Sequence, residues 1–449
     1  MPASATSPDL LHLLSKRSTL ELDIEMGATS ASTLPQPVKL DKYNEDQLPA
    51  YTPMPWSLKE IRAAIPAELF VRDTPRGLLY LARDLLLAAA CWSAATYIDP
   101  YFTAAPAKEL LSPVGAEIAR WAAWGVYWWF QGLIFTGIWV IGHECGHGAF
   151  SDHKIVNDIV GFLTHTAMWT PYFSWRISHH RHHSNHASME RDEVYVPKTR
   201  EDLGIPEKNN HEIDWDEMFG DTPIYTLYML IRQQVLAFPA YLLFNVSGQK
   251  TYPKWTNHFD PNSILFTKAQ RNAVIMSNIG IGAMVWAVVY SSSVYGTGEV
   301  IKYYLFPWLE VSHWFIMITY LHHTDPMLPH YRGKEWNFQR GAAATVDRPF
   351  LGWQGRFFLH DVAHYHVVHH FFPKMPFYHG PEATQHLKAF IGESYAFSDA
   401  PVFKALWDSY NACQFVENDG DVLFYRDKKG EARRRPADAW YQKTWFKSE

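Results

Sequence analysis

Cysteine is almost absent from this chain. Cys91, Cys145 and Cys413 are three scattered thiols with no C-x-x-C between any two of them. That excludes a disulfide framework and a cysteine-based zinc knuckle, and it points to chemistry facing a reducing compartment such as the cytosol. Positive charge is not in excess either: the formal net charge is -6, which leaves no reason to expect a nucleic-acid partner. There is no glycine-rich flavin or nicotinamide fingerprint and no haem-binding H-P-G-G stretch, so any reducing equivalents must come from a separate protein. No charged segment followed by an apolar run and a small-residue cleavage site opens the sequence, and no removable signal peptide is expected.

Ordered sequence is scarce at the start. Residues 1–52 are rich in Ser, Thr, Ala and Pro with little periodicity, a composition that predicts a disordered N-terminal tail. Order is expected from Ser57 and Glu60, an S-x-x-E capping box ahead of an amphipathic run that Pro66 ends.

Apolar residues are abundant, at 47% hydrophobic and 16% aromatic. Four stretches, roughly 78–98, 121–141, 273–292 and 301–321, are long enough to cross a bilayer, which takes about 20 residues. A fifth, roughly 224–246, carries Arg232, Gln233 and Gln234 at its middle and is expected to lie in the interface, because charge in hydrocarbon is costly. The short connectors are poor in Lys and Arg: Lys108 and Arg120 stand alone at 99–120, and 293–300 has neither. The other segments are rich in both, which places them in the cytosol. The predicted fold class is an all-α integral membrane protein: four transmembrane helices with a cytosolic histidine-rich cap. The expected division is a tail at 1–52, a membrane domain at 53–415 and a C-terminal cytosolic tail at 416–449.

The 23 histidines fall into clusters. His143, Glu144 and His147 form a literal H-E-x-x-H, which on a helix is the zinc site and general base of a metalloprotease. His179, His182 and His183 follow at i, i+3, i+4, one face of a helix, and His366, His369 and His370 repeat that spacing. Eight imidazoles exceed what one zinc takes and suit two metals; imidazole serves iron well, and iron can activate dioxygen where zinc cannot. His323, at the cytosolic end of the fourth stretch, is a ninth candidate, whereas His322 points elsewhere on a helix.

These residues resemble the membrane-bound fatty acid desaturases, and within them the microsomal oleate Δ12 branch. The likeness runs from "WSLKEIRAAIP" to about residue 390 and includes "HECGHGAF", "SHHRHHSNH", "ERDEVYVPK", "ITYLHHTDPMLPHY" and "HVVHHFFPKMPFYHGPEAT". The resemblance implies a non-haem diiron site with ligands at His143, His147, His179, His182, His183, His366, His369 and His370, and His323 at the place of a further ligand. Two positions depart from the pattern: His364 stands where an acidic residue is common, with Asp361 near enough to substitute, and Gly148 replaces a further histidine of the first box.

The implied activity is O2-dependent insertion of a cis Δ12 double bond into oleoyl chains, giving linoleoyl chains. The substrate is a membrane lipid acyl group, and two electrons come from cytochrome b5 and NADH-cytochrome b5 reductase. The implied location is the endoplasmic reticulum membrane. Glu144, Asp192, Glu193 and Asp361 are the carboxylates expected to support the ligands. The acyl chain is expected to run between the spans, along residues such as those of "WAAWGVYWWF", most of whose rings suit an interfacial aromatic belt. Asn245 is formally a glycosylation acceptor, but its cytosolic placement predicts no sugar. An ω3, bifunctional or hydroxylating enzyme on the same scaffold stays open. An intramembrane zinc protease leaves two boxes idle, and a metal transporter would set its ligands inside the spans.

Overall fold

The computed structural model describes residues 33–35, 42–205 and 222–438. It is mostly helical, and the only sheets among the described residues are two pairs of two-residue strands. The first helix, α1 (Leu58–Ala63), starts on the expected capping box: Ser57 Oγ accepts from Glu60 N, and Glu60 accepts from Ser57 N at 2.9 Å. Helix α2 (Thr74–Ala95) is capped by Asp73, and after two short helices α3 (Pro113–His147) runs back for 35 residues. At 1.5 Å per residue α3 is about 52 Å long, more than the roughly 30 Å of a bilayer core. Gly148, at φ 71, ends it one residue after His147, a left-handed position that glycine takes without strain.

Helices α4 (Lys154–Ala167) and α5 (Tyr172–Asn185) form a hairpin that folds back along the end of α3. Two glycines permit the approach. A Cβ at Gly142 would stand 2.2 Å from the His165 ring, and one at Gly161 would stand 2.3 Å from the Tyr172 ring. His165 is buried there with Nε2 donating to Trp139 O at 3.0 Å. Helix α6 (Pro223–Phe244) follows, then α7 (Arg271–Tyr295), then α8 (Phe306–His323), which a π turn at Ile301–Leu305 introduces.

Three helices are long and apolar enough to cross a membrane by length and composition: Thr74–Thr103, Pro223–Phe244 and Lys268–Tyr295. The first and third contain the expected spans 78–98 and 273–292. The second coincides with the stretch expected to stay in the interface. The other two expected spans lie in α3 and α8, inner helices packed on each other, where buried polar residues such as Gln131, Thr136, Ser312 and His322 dilute the apolar character. By contrast, α2 presents Leu78, Leu79, Leu85, Leu86 and Trp92, and α7 presents Ile279, Trp286 and Val289, on exposed faces. Exposed apolar surface of that extent suits lipid and not water.

The aromatic run of α3 closes the end of the bundle far from the histidines. Trp124 donates to Asp99 at 2.9 Å, Tyr127 to Tyr303 O and Trp128 to Lys302 O, with Arg120 and Lys302 paired to Asp99. Trp124 lies about 28 Å along the helix from His143, too far to line a path to it.

Beyond α8 the chain wraps the other end as a cap, with α9 (His366–Phe371), α10 (Gly380–Ile391) and α11 (Val402–Ala412) joined by long irregular segments. Strand β1 (Ala50–Tyr51) pairs in parallel with β4 (Arg435–Pro436), and β2 (His330–Tyr331) pairs antiparallel with β3 (Val422–Leu423). Residues 42–52 and 416–438 are thus anchored in the cap and are not tails: Leu48, Val416 and Phe424 are buried, and Glu45 pairs with Arg426 at 2.8 Å. Their polar composition hid this, because their partners are distant in sequence: about 380 residues between the two segments themselves, and about 92 between β2 and β3. The rest of the expected tails, 1–32, 36–41 and 439–449, lies outside the described residues.

The close helix contacts yield a first prediction. Gly161→Ala is expected to cost roughly 1–3 kcal/mol through overpacking against Tyr172, whereas Gly125→Ala, with open space around it, should cost nothing. Thermal unfolding midpoints of the purified protein in detergent compare the two.

Candidate metal centre

Four elements deliver the histidines to one place. The last turn of α3 carries His143 and His147, α5 carries His179, His182 and His183, the end of α8 carries His323, and α9 carries His366, His369 and His370. All nine sequence candidates are brought together, in two adjoining groups. His143, His147, His179, His183 and His369 form the first, with ligand atoms all within 4.8 Å of one another. His182, His323 and His370 meet the same criterion. His366 joins them, its Nε2 lying 3.4 Å from His323 Nε2.

Neighbours fix the outer nitrogens of these rings. His143 Nδ1 donates to Glu144 at 3.0 Å, and His182 Nδ1 donates to Asp192 at 2.9 Å. His366 Nδ1 donates to Val362 O at 3.1 Å. Thr345 gives its hydroxyl proton to His322 O at 2.8 Å and so accepts from His323 Nδ1 at 3.0 Å.

With Nδ1 protonated on His182, His323 and His366, each Nε2 presents a lone pair. Those Nε2 atoms nevertheless approach to 3.5 Å (His182 to His323) and 3.4 Å (His366 to His323). Lone pairs facing at that distance repel, and no proton remains to bridge them. Nε2 of His369 and both ring nitrogens of His370 are buried with no protein partner. Buried polar atoms without partners are costly, and the arrangement becomes favourable when a cation sits among them. The donor sets fit two metal ions, one per group.

Burial supports the same charge state. It drives the imidazoles of His179, His183, His366 and His370 well below their usual pKa, and neighbouring imidazoles push them further. Ligands already neutral at ordinary pH need lose no proton on binding metal. Asp192 is carried the other way: burial opposes its charge, yet His182 and His186 hold it down at about 2.

The carboxylates divide. Glu144 and Asp192 touch ligand histidines as expected. Glu193 instead pairs with Arg181 at 2.8 Å and accepts from Tyr252 at 2.6 Å. Asp361 faces Arg356 at 3.4 Å and His364 at 3.7 Å, and supports no box histidine. The Val362 carbonyl takes the place it was expected to fill. His364 is buried outside both groups, and His322 reaches the backbone carbonyls of Ile318 and Ala363.

Sequence reasoning missed His186, which shares Asp192 with His182 and lies 4.3 Å, centroid to centroid, from His323. Its place four residues after His182 was the available signal. Asp347 was missed too; it accepts from Val367 N at 2.7 Å and from Tyr395 at 2.6 Å, capping α9 from 20 residues upstream. No local pattern announces such a cap.

A cavity of roughly 160 Å3 reaches the two groups. His143, His179, His182, His323 and His366 line its inner end, and Trp139, Val140, Ala237, Phe315 and Ile316 line its walls. Its α3 residues are Thr136, Trp139 and Val140, within about 11 Å of His143 along the helix. None belongs to "WAAWGVYWWF". Asn245, buried and holding a left-handed helix end at φ 48, offers no surface for a sugar.

Residues 119–400 match the family model described as Fatty acid desaturase. The chain is 41% identical over 415 residues to a Delta(12) fatty acid desaturase of Mortierella alpina, covering 91% of this chain and 99% of that one. It is 42% identical over 404 residues to a Delta(12) fatty acid desaturase of Mortierella isabellina, covering 89% and 95%. It is 38% identical over 415 residues to an oleate hydroxylase of Claviceps purpurea, covering 87% and 84%.

The split between Asp192 and Glu193 is testable. Asp192→Ala is expected to weaken metal binding about 10- to 100-fold, the usual cost of removing the partner that orients a ligand histidine. Glu193→Ala should leave it within about twofold, because Glu193 touches no ligand. Metal titration of the stripped protein reads both.

Proposed function

The chain belongs to the fatty acid desaturase family, and from that premise we propose that it converts oleoyl chains to linoleoyl chains by inserting a cis Δ12 double bond. It is an oxidoreductase, and the observation that carries the reading is an apolar cavity ending on two convergent groups of imidazoles. Taking hydrogen from an unactivated methylene lies beyond any side-chain acid or base. Two iron ions, one held by His143, His147, His179, His183 and His369 and the other by His182, His323, His366 and His370, supply that oxidising power from dioxygen when bound.

The protein's own part is to bind, aim and exclude water. Trp139, Val140, Phe315 and Ile316 remove an acyl chain from solvent, and the cavity's inner end presents its methylenes to the histidine groups. Glu144, Asp192, Thr345 and the Val362 carbonyl hold Nδ1–H of four ligand rings and so keep each Nε2 turned inward. A bend at the existing Δ9 bond gives a physical ruler: a cavity that accepts cis-oleate fixes the register of the carbons beyond it, while a saturated chain slides.

Glu144 holds His143 Nδ1 through one oxygen, the part of a carboxylate that orients a ligand ring, and the two further histidine clusters that converge on the same place favour the desaturase reading over a single-zinc protease site. The relatives include Δ12 desaturases and an oleate hydroxylase, and desaturation is the reading that the two most similar of these support. Electrons are proposed to come from cytochrome b5 and its NADH-dependent reductase, since no flavin, nicotinamide or haem fingerprint occurs in the sequence.

The proposed topology has four crossings, α2, α3, α7 and the π turn with α8, and the cap in the cytosol at the endoplasmic reticulum membrane. Both ends of α6 lie near cap-side elements: Asn245 donates to Glu193 O, and Tyr225 and Arg232 neighbour Tyr410 of α11, close before Cys413. That supports a helix lying along the interface despite its apolar length. The polar cluster of Asp99, Arg120 and Lys302, whose Arg120 lies about 34 Å from His143 by the helical rise, suits the opposite interface.

In a host that stops at oleate, expression is expected to produce 18:2 Δ9,12, read by gas chromatography with mass spectrometry of double-bond derivatives. Hydroxylated oleate, or activity only on added linoleate, would reassign the reaction while keeping the metal site. For topology, cysteines placed near residues 205 and 255 should label from the same membrane side. Labelling from opposite sides would make α6 a crossing helix and refute the four-span map.

A further inference from the structure

Asp84 is 2% exposed in the middle of the apolar helix α2, a setting in which a bare carboxylate is costly and calls for an explanation. It is fully engaged. Arg83 reaches Oδ1 through Nε at 3.0 Å and Nη2 at 2.8 Å, and His360 Nε2 donates to Oδ2 at 2.6 Å. His360 comes from 276 residues further along the chain, six residues before the third histidine box.

The segment that brings it there is strained. His360 and Asp361 have φ of 52 and 60, two consecutive non-glycine residues in the left-handed region. Such residues persist only where their surroundings over-determine them. Here the restraints are His360 on Asp84, Arg83 Nη2 on Phe357 O at 2.8 Å, and Arg356 beside Asp361. Gly137 completes the seat: a Cβ there would stand 2.2 Å from Phe358 O. The segment therefore presses directly on α3, six residues, or about 9 Å, before His143.

Val362 follows the strained pair. Its side chain forms part of the acyl cavity wall and its carbonyl holds His366 Nδ1. The position of residue 360 thus sets two things at once: the aim of His366 Nε2 towards His323, and one side of the channel.

We propose that Asp84 and His360 are a positioning pair, locking the left-handed turn that places Val362 and His366 and so holding the four-imidazole group together. This rests on the diiron reading above. Neither residue touches metal or substrate; both act through Val362 and His366.

The test uses the full chain, purified from membranes in detergent, with Asp84→Ala, His360→Ala, the double variant and His360→Gln beside the parent. Iron is measured per chain on the monodisperse fraction, together with the Mössbauer spectrum. The parent is expected to hold about two irons, and each alanine variant to fall to about one with loss of one spectral component. Because the two residues act on the same turn, the double variant should fall no further than either single. His360→Gln, whose amide N–H can still reach the Asp84 carboxylate, should recover most of the second iron. Alanine variants that keep about two irons and the parental spectrum would overturn the proposal. So would a glutamine variant no better than alanine, or loss of monodispersity in step with iron across the whole series, either of which marks a role in folding alone. A parent without iron would instead sink the diiron reading, so the two failures are distinguishable.

Discussion

Lone pairs that converge with no proton between them are the constraint around which this molecule is built. His182, His323 and His366 each commit Nδ1–H outward, and their Nε2 atoms meet at 3.4–3.5 Å. Left to itself such a cluster would spring apart or take up protons, and burial penalises protonation. The fold prevents the first and the metal chemistry removes the second. Everything nearby acts to hold four chain segments, drawn from across more than 220 residues, in a geometry that is unfavourable until cations fill it.

The bundle does this by close helix approach. Gly142 admits the α4–α5 hairpin against α3, so that α5 delivers its three box histidines beside His143 and His147. Gly132 admits α8, where a Cβ would stand 2.3 Å from Glu310, and this packing brings His323 level with the first box. Asp347, buried and pushed up to about 7 by desolvation, nonetheless holds the start of α9 through Val367 N. The cap then ties itself to the bundle through buried contacts such as Arg348 Nε donating to Leu321 O of α8 at 3.0 Å.

The same packing makes the cavity. Since α3 and α8 carry buried polar residues such as Gln131, Thr136 and Ser312 among the apolar side chains that pack the core, they can serve as inner helices. The more apolar α2 and α7 shield them from lipid. A lipid acyl chain can then meet the histidine groups, with ring nitrogens and hydrocarbon walls lining one cavity.

The sequence by itself determined the ingredients that depend on local geometry. H-x-x-x-H and H-x-x-H-H spacings put ligands on one helix face because a turn takes 3.6 residues, the capping box at Ser57 and Glu60 started α1 as read, and apolar length marked α2 and α7. Glu144, adjacent in sequence to His143, and Asp192, ten residues from His182, were also within reach of a local reading. Tertiary structure decided what depends on partners far along the chain. It divided nine histidines into groups of five and four, gave His366 a carbonyl where Asp361 was expected, and drew the cavity wall from residues 136–140 of α3 instead of the aromatic run at 121–130. It also anchored residues 42–52 and 416–438, and set Asp84 against His360 across 276 positions. Periodicity encodes which face of one helix is special; it carries no information about which other face will meet it, because that is settled by packing the whole chain at once.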